Sequence, residues 1–464
     1  MVRARIDFDT VDIAIVGGGP AGYFTALKIK EERPDADVAL FEGGSLRKRA
    51  DQNLLFGWGG AGTFSDGKLT LSPEVGGWLE EFIEENELLE SINYVENTYL
   101  RFGFPEDRVY GVGPAEKIEE LKVKARKANL VLRPYKVRHA GTDGIYRVTA
   151  NIYKHLLKSG VKICLNTLVG HIQKLDDGKI ELELENGKKI KATFVVLAPG
   201  RAGAGWLRRE EERLGLKFIE TEKVGVDEGI RVEVPFEIMQ EYTDILHEFK
   251  IEKFTRCFDD YVRTFCICPH GHVKLEKQGD LYVVNGHSFA NPKKWSKNTN
   301  FAILVRANFT YPFRDPISYA LIDVKKANDL GGGKPLIQRL GDLREGRRST
   351  WDKINKGSRG VLEPTLKEVE PGDLSYALSY RIMRNTLEFL EDLEEIFPGV
   401  NNKHTLLYGV ETKLYSSRVE LKDGFETMID NIFTVGDGSG CSRSIAHAAV
   451  MGAKAAQTIA KKGS

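Results

Sequence analysis

Val11-Asp12-Ile13-Ala14-Ile15-Val16-Gly17-Gly18-Gly19-Pro20-Ala21-Gly22 carries an apolar, β-branched run straight into a glycine turn. A run of that kind predicts a parallel strand buried on both faces. Gly17, Gly19 and Gly22 have the spacing G-x-G-x-x-G. In such a turn the first glycine permits the tight bend, the second lets a pyrophosphate approach the backbone, and the third lets the following helix pack on the strand. Tyr23 to Glu32 reads as that helix, its free N–H groups and positive dipole end turned to the phosphates. Residues 37–41 predict a second strand, and Glu42 stands twenty residues after Gly22, where an acid accepts hydrogen bonds from an adenosine ribose. An acid there disfavours a 2′-phosphate, so the turn suits FAD or NAD rather than NADP.

The other end of the sequence decides between those two. Asn431 to Val435 predicts a short strand, followed by Gly436-Asp437-Gly438 and then by a helix rich in small residues, Ile445 to Ala460. In FAD proteins of the glutathione-reductase type an Asp at such a strand end bonds the ribityl chain. The next helix points its N-terminus at the flavin pyrimidine edge, where negative charge gathers on reduction. NAD needs no such second site. Phe194 to Leu197 with Ala198-Pro199-Gly200 reads as a strand and turn of the same domain.

At about 150 residues per domain, 464 residues predict roughly three units. The expected division is a discontinuous Rossmann-type FAD-binding domain in three pieces (1–75, 140–215 and 405–464). It is interrupted by a helical segment (76–139), a β-rich substrate or cap domain (216–345) and a second helical segment (346–404). The cap reading rests on strand-like runs at Gly229–Val234, Asp280–Gly286 and Phe301–Phe309. Helices are also expected at 148–159, 325–341 and 372–397, a strand at 161–166, and a β-unit from 168–175 and 180–184. Gly331-Gly332-Gly333-Lys334 lacks a preceding strand and reads as a loop. With no second dinucleotide turn, the flavin is expected to exchange electrons with a substrate or with an external electron donor or acceptor.

Lys and Arg total 67 against 67 Asp and Glu, a formal net charge of +0, which argues against nucleic acid or an acidic membrane surface as partner. No apolar run approaches the roughly 18 residues that span a bilayer, and the N-terminus lacks the apolar core of a secretory signal. Five cysteines read as reduced thiols of a cytoplasmic protein. Scarce glutamine beside abundant Lys, Glu and Arg leans toward a thermophilic source. Oligomeric state is left open.

Several further stretches resemble those of the uncharacterised FAD-dependent dehydrogenases, a group related in fold to the glutathione-reductase and flavoprotein-monooxygenase superfamily. They are Phe56–Leu69 (FGWGGAGTFSDGKL), His139–Asp143, Thr264–Pro269, Glu370–Leu374 and Gly409–Lys413. The resemblance implies an α/β FAD oxidoreductase acting on a small-molecule substrate. It implies cofactor contacts from Gly17, Gly19, Pro20, Ala21, Gly22, Glu42, Gly43, Arg49, Gly60, Thr63, Ser65, Val169, Ala198, Gly200, Gly436, Asp437, Ser444 and Ile445. The chain departs from that pattern at Trp58, where an acid is usual, and around His270 and His272, where glycines are usual.

The candidate catalytic residues each carry two readings. By resemblance Lys68 is a cation near the flavin N1–C2=O edge or a substrate anion; otherwise it is a surface lysine. Cys266 and Cys268, one strand pleat apart, are a redox-active thiol site or buried packing. Zinc held with His270 and His272 is a third reading, disfavoured by the spacing. Cys441, before the last helix, forms a charge-transfer contact or packs. His447 is a proton donor or a helix-face histidine. Arg231, Arg263, Arg306, Arg314, Arg347 and Arg348 grip an acidic substrate or are solvated. The expected reaction moves a hydride between a substrate carbon and flavin N5. Alternatives are a flavoprotein of RNA modification or redox sensing, and a reductase of unsaturated prenyl or lipid chains.

Overall fold

A computed structural model describes residues 6–46, 56–219, 225–310, 313, 316–358, 362–413, 416 and 418–463. The chain forms two compact units. One comprises Met1–Arg108, Arg138–Glu220 and Ser416–Ser464; the other comprises Val109–Val137 and Thr221–Tyr415. The segment expected to be helical throughout, 76–139, is thus divided. Glu85–Arg101 forms a helix of the first unit and Ala115–Lys127 a helix of the second.

The first unit is Rossmann-type. Its core sheet runs in the order Lys162–Leu165, Val38–Glu42, Thr10–Val16, Lys189–Leu197, all parallel, and Ile432–Thr434 pairs parallel with the end of the last. The strand Lys189–Leu197 does double duty. Its first half also pairs antiparallel with Ile180–Leu184, which pairs with Val169–Lys174. Ile13 and Ile15 face one apolar core and Ala14 and Val16 the other, which is why the opening strand is apolar at nearly every position rather than at alternate ones. The first core is filled by the helices Pro20–Glu32, Glu85–Arg101, Ile145–Lys158 and Ile445–Lys462. The small residues of the last helix have a steric cause. A side chain at Gly452 would lie 2.0 Å from the Ala21 carbonyl oxygen, and Thr25 Oγ1 donates to Gly452 O at 3.1 Å.

On the other face, the helix Ala204–Arg213 buries Glu211 beside Thr434. Burial pushes the Glu211 carboxyl up to about 8. Unfolded, it ionises near its ordinary 4.5, so unfolding releases a proton between those values and stability falls as pH rises through this window. Glu211→Gln removes the titration. The variant's melting temperature is expected to gain on the parent's from pH 5 to pH 8.5; an unchanged difference refutes the assignment.

The second unit is β-rich. An eight-stranded sheet runs Glu370–Pro371, Leu336–Arg339, Leu406–Lys413, Gly225–Pro235, Asn298–Asn308, Tyr261–Cys268, Phe249–Phe254, Val131–Pro134. Ile230, Val232 and Val234 alternate into a core with Phe301, Ile303 and Val305, covered by the helix Tyr380–Leu393. The intervening residues Arg231 and Glu233, and Asp227 earlier on the strand, are buried charges on the opposite face. The helix expected at 325–341 is displaced. It spans Pro316–Leu330, ends at Gly331–Gly333, and is followed by the strand Leu336–Arg339. Gly332 and Gly333 have φ of +61° and +90°, conformations that stop a helix. No helix among the described residues is long and apolar enough to cross a membrane.

Candidate functional site

Three backbone ends meet at the carboxyl edge of the parallel sheet, where open α/β sheets bind ligands. Gly17 N–H donates to Phe41 O, Ala198 N–H to Val16 O and Val435 N–H to Leu197 O, at 2.8, 2.8 and 2.9 Å. The glycines of the turn do three different things. Gly17 has φ +108°, and a Cβ there would lie 2.1 Å from Ala198 O. A Cβ on Gly22 would lie 1.9 Å from Gly17 O. A Cβ on Gly19 meets nothing within 4 Å, and its φ of −79° is open to any residue. Gly17 and Gly22 are therefore glycines because the protein is close, whereas no protein atom requires a glycine at position 19. No side chain caps the helix Pro20–Glu32, so its first N–H groups, with Ala21 in the first turn, are left for an anion. Pro20 stands at N1, where its missing donor costs nothing.

Glu42 is buried, and its two carboxylate oxygens each accept one backbone N–H, from Gly18 at 2.9 Å and Gly44 at 2.8 Å. Each oxygen keeps accepting capacity for a hydroxyl. Gly43 and Gly44 leave no room for side chains against Leu168, Phe56 and Gly57. Thr167 N–H donates to Glu42 O, so the strand beginning at Val169 starts beside the acid. Arg49 lies outside the described residues.

At the other end, Gly436 has φ +78° and faces Ala21. Asp437 Oδ1 accepts the Ser442 hydroxyl at 2.8 Å, and Arg201 Nε lies 3.7 Å from Oδ2. Gly200, at φ +61°, turns the chain from Ala198 toward Arg201. Glu42 ends its strand and Asp437 follows another three interstrand spacings away, about 14 Å, so a ligand touching both is extended. The turn, the uncapped helix and the two acids fit FAD. Arg201 and Ser442 were not singled out from sequence; Arg201, a cation one residue past the turn glycine, was readable as a partner for Asp437.

The glycine loop after residue 56 packs more than it opens. Trp58 is buried, donates from Nε1 to Thr149 O at 2.9 Å and stacks its edge on Tyr153. Gly60 caps a short turn of helix. Thr63 is buried with its hydroxyl on Thr149, and Ser65 Oγ accepts Gly67 N–H. The departure from the family pattern at Trp58 is therefore core packing in this unit. Lys68 is not a surface lysine: its side chain is 6 % exposed and its Nζ sits 2.9 Å from Asp66 Oδ2. His139 belongs to the same buried group. Burial brings its imidazole down to about 4; Asp66 opposes this, and Lys68 and Arg108 add to it. His139 is neutral beside a charged pair.

Ser444 caps the last helix, its Oγ accepting His447 N–H at 3.1 Å, and Ile445 begins it. His447 is fully buried, with Nε2 donating to Ser72 O at 2.9 Å. That bond ties the helix to the loop below. The Cys441 thiol is buried, lies 3.6 Å from Ser439 O, and is pushed up by burial, which outweighs Arg418. The helix start after it does not produce a thiolate.

In the second unit, Cys266 and Cys268 Sγ atoms are 3.9 Å apart. His270 and His272 bond the carbonyls of Ser296 and Lys294 instead of joining them. Arg231 and Arg263 are interior, paired with Glu411 and Asp227. Arg306 also pairs with Asp227, and Arg347 with Asp342. Arg314 lies outside the described residues.

A family profile described as pyridine nucleotide-disulphide oxidoreductase matches residues 138–236, and one described as FAD-dependent protein, C-terminal domain-like, matches 240–414. An uncharacterized protein of Clostridium beijerinckii is 26 % identical over 489 residues, covering 97 % of this chain and 80 % of its own. Among solved structures, glycine oxidase from Geobacillus kaustophilus aligns over 98 % of this chain and 95 % of its own at 13 % identity and a TM-score of 0.42. L-proline dehydrogenase from P. horikoshii aligns over 98 % and 94 % at 11 % identity and 0.41.

Proposed function

We infer that this chain, an FAD-dependent oxidoreductase, moves a hydride between a carbon of a small-molecule substrate and its flavin, and that its electrons are exchanged with that substrate or an external donor or acceptor. FAD supplies two-electron chemistry at flavin N5 when bound. The chain's own residues supply placement. Gly19 leaves backbone open to the pyrophosphate, and the uncapped helix start offers N–H groups to it. Glu42 has oxygen capacity left for ribose hydroxyls. Asp437, steadied by Ser442 and Arg201, presents a carboxylate to the ribityl chain. Lys68 and Asp66, with the neutral His139, are the buried polar groups available to hold or pass a proton.

The observation that carries this reading is the empty approach over Gly19 between two tightly closed glycines. The test is anaerobic titration of FAD-loaded protein with NADH, NADPH, ferredoxin and fractionated metabolites, read by flavin absorbance. Bleaching by a metabolite fraction or by ferredoxin supports it. Purified protein that neither carries nor binds FAD sinks it, and reduction by a nicotinamide alone overturns the assignment of electron source.

A further inference from the structure

The strand Tyr261–Cys268 is irregular at its end. Its register with Asn298–Asn308 shifts between Phe265 and Cys268, and Cys266 has φ +48°. A left-handed conformation is strained for a residue with a Cβ, and the result is specific. Same-face neighbours on a regular strand are two rises apart, about 6.6 Å. Here the two thiols touch, at 3.9 Å between sulfurs. Closure to a bond of about 2.05 Å is a small further movement. Neither cysteine is in a disulfide.

The surroundings distinguish the two. Cys268 is fully buried, with its Sγ 3.4 Å from Cys266 O, and the turn at Gly271 folds tightly over it. Cys266 is partly exposed. Beside them is Arg231, wholly buried, donating to Cys266 O at 3.2 Å and Asn300 Oδ1 at 2.8 Å. Gly286 allows this closeness, because a Cβ there would lie 2.2 Å from Arg231 Nη1. Burial works against the charge on Arg231, and Glu411 holds it.

We propose that Cys266 and Cys268 are a redox-active dithiol that exchanges with small-molecule disulfides, Cys266 as the attacking thiol and Cys268 as the resolving one. The Cys266 thiolate attacks one sulfur of the disulfide, forming a mixed disulfide and expelling a thiolate. Cys268, deprotonated, attacks Cys266 Sγ, forms the internal disulfide and expels the second thiolate. The two protons lost by the cysteines end on the two released thiols, and the two electrons pass from the cysteine pair to the substrate disulfide.

This reading rests on residues of the β-rich unit alone and is read on sulfur, so it stands or falls separately from the flavin chemistry. FAD-loaded, pre-reduced protein is exposed to oxidised glutathione, quenched in acid, unfolded, alkylated and digested. Expected are a peptide joining Cys266 to Cys268, two hydrogens lighter than its dithiol, and both residues protected from alkylation. Cys268→Ser is expected to stop at a glutathione adduct on Cys266, and Cys266→Ser to leave Cys268 unmodified. Cys257, a half-buried thiol bonded to Asn385, is the internal control. Recovery of Cys266 and Cys268 both alkylated, at a glutathione concentration that modifies Cys257, overturns the proposal, as does an adduct on Cys268 in the parent.

Discussion

Gly19→Val is expected to give a folded protein that no longer holds FAD. The substitution adds a side chain where a Cβ meets no protein atom, at backbone angles valine adopts freely. Its methyl groups occupy the space needed by the pyrophosphate. Affinity is expected to fall by at least about 100-fold, or about 2.8 kcal/mol, with a melting temperature of the FAD-free protein close to that of the FAD-free parent. Gly17→Val provides the contrast. Its Cβ would sit 2.1 Å from Ala198 O at φ +108°, which combines overpacking of about 1–3 kcal/mol with backbone strain, so loss of FAD there accompanies loss of fold. FAD titration by fluorescence and thermal melting of the FAD-free forms check both. A Gly19→Val protein that retains FAD at parental affinity refutes the placement of the phosphates.

Arg231→Ala is expected to be the most damaging single change in the β-rich unit. The guanidinium makes two bonds to Glu411, at 2.7 and 2.8 Å, and is wholly buried. Removing it strands the Glu411 carboxylate, which desolvation already pushes upward in pKa against the pull of Arg231. Breaking one partner of a buried pair typically costs about 3–5 kcal/mol. Replacing both partners with apolar residues, Arg231→Met with Glu411→Leu, is expected to recover most of that loss, because the cost lies in the unpaired charge. Urea midpoints of the single and double variants measure it. A double variant as unstable as Arg231→Ala would show that Arg231 acts through its other contacts, to Cys266 and Asn300.

The glycine turn was legible because backbone geometry dictates it. Few sequences besides glycine satisfy a carbonyl at 2.1 Å and another at 1.9 Å, and Gly17 and Gly22 advertise those contacts directly. The places of Glu42 and Asp437 at or just past strand ends were legible too. What sequence did not disclose depends on long-range partners. The pairing of Arg231 with Glu411 spans 180 positions, and nothing near either residue announces it. Trp58 sits in a glycine-rich loop with no periodicity, so its burial against Tyr23 and Tyr153 had no local signal. The helix at Pro316–Leu330 was displaced in the reading because the apolar pair Leu336-Ile337 extends its pattern; the glycines between them are what end it. Cys266 and Cys268 were placed on one pleat, but the left-handed residue that brings the sulfurs together leaves no mark in composition. Lys68 shows the same limit, since its partner Asp66 is near in sequence but its burial is not.

The helix Pro20–Glu32, which follows the glycine turn, rests on the helix Ile445–Lys462. Gly452 backbone lies against Ala21, and Thr25 bonds across to it. A ribosome delivers the first of these helices more than four hundred residues before the second. During synthesis the glycine turn therefore waits without its packing partner, its apolar helix face exposed to whatever chaperones are present. The turn gains this packing only once the helix Ile445–Lys462 has been made, and a product clipped before that helix lacks the support that keeps the first turn in shape.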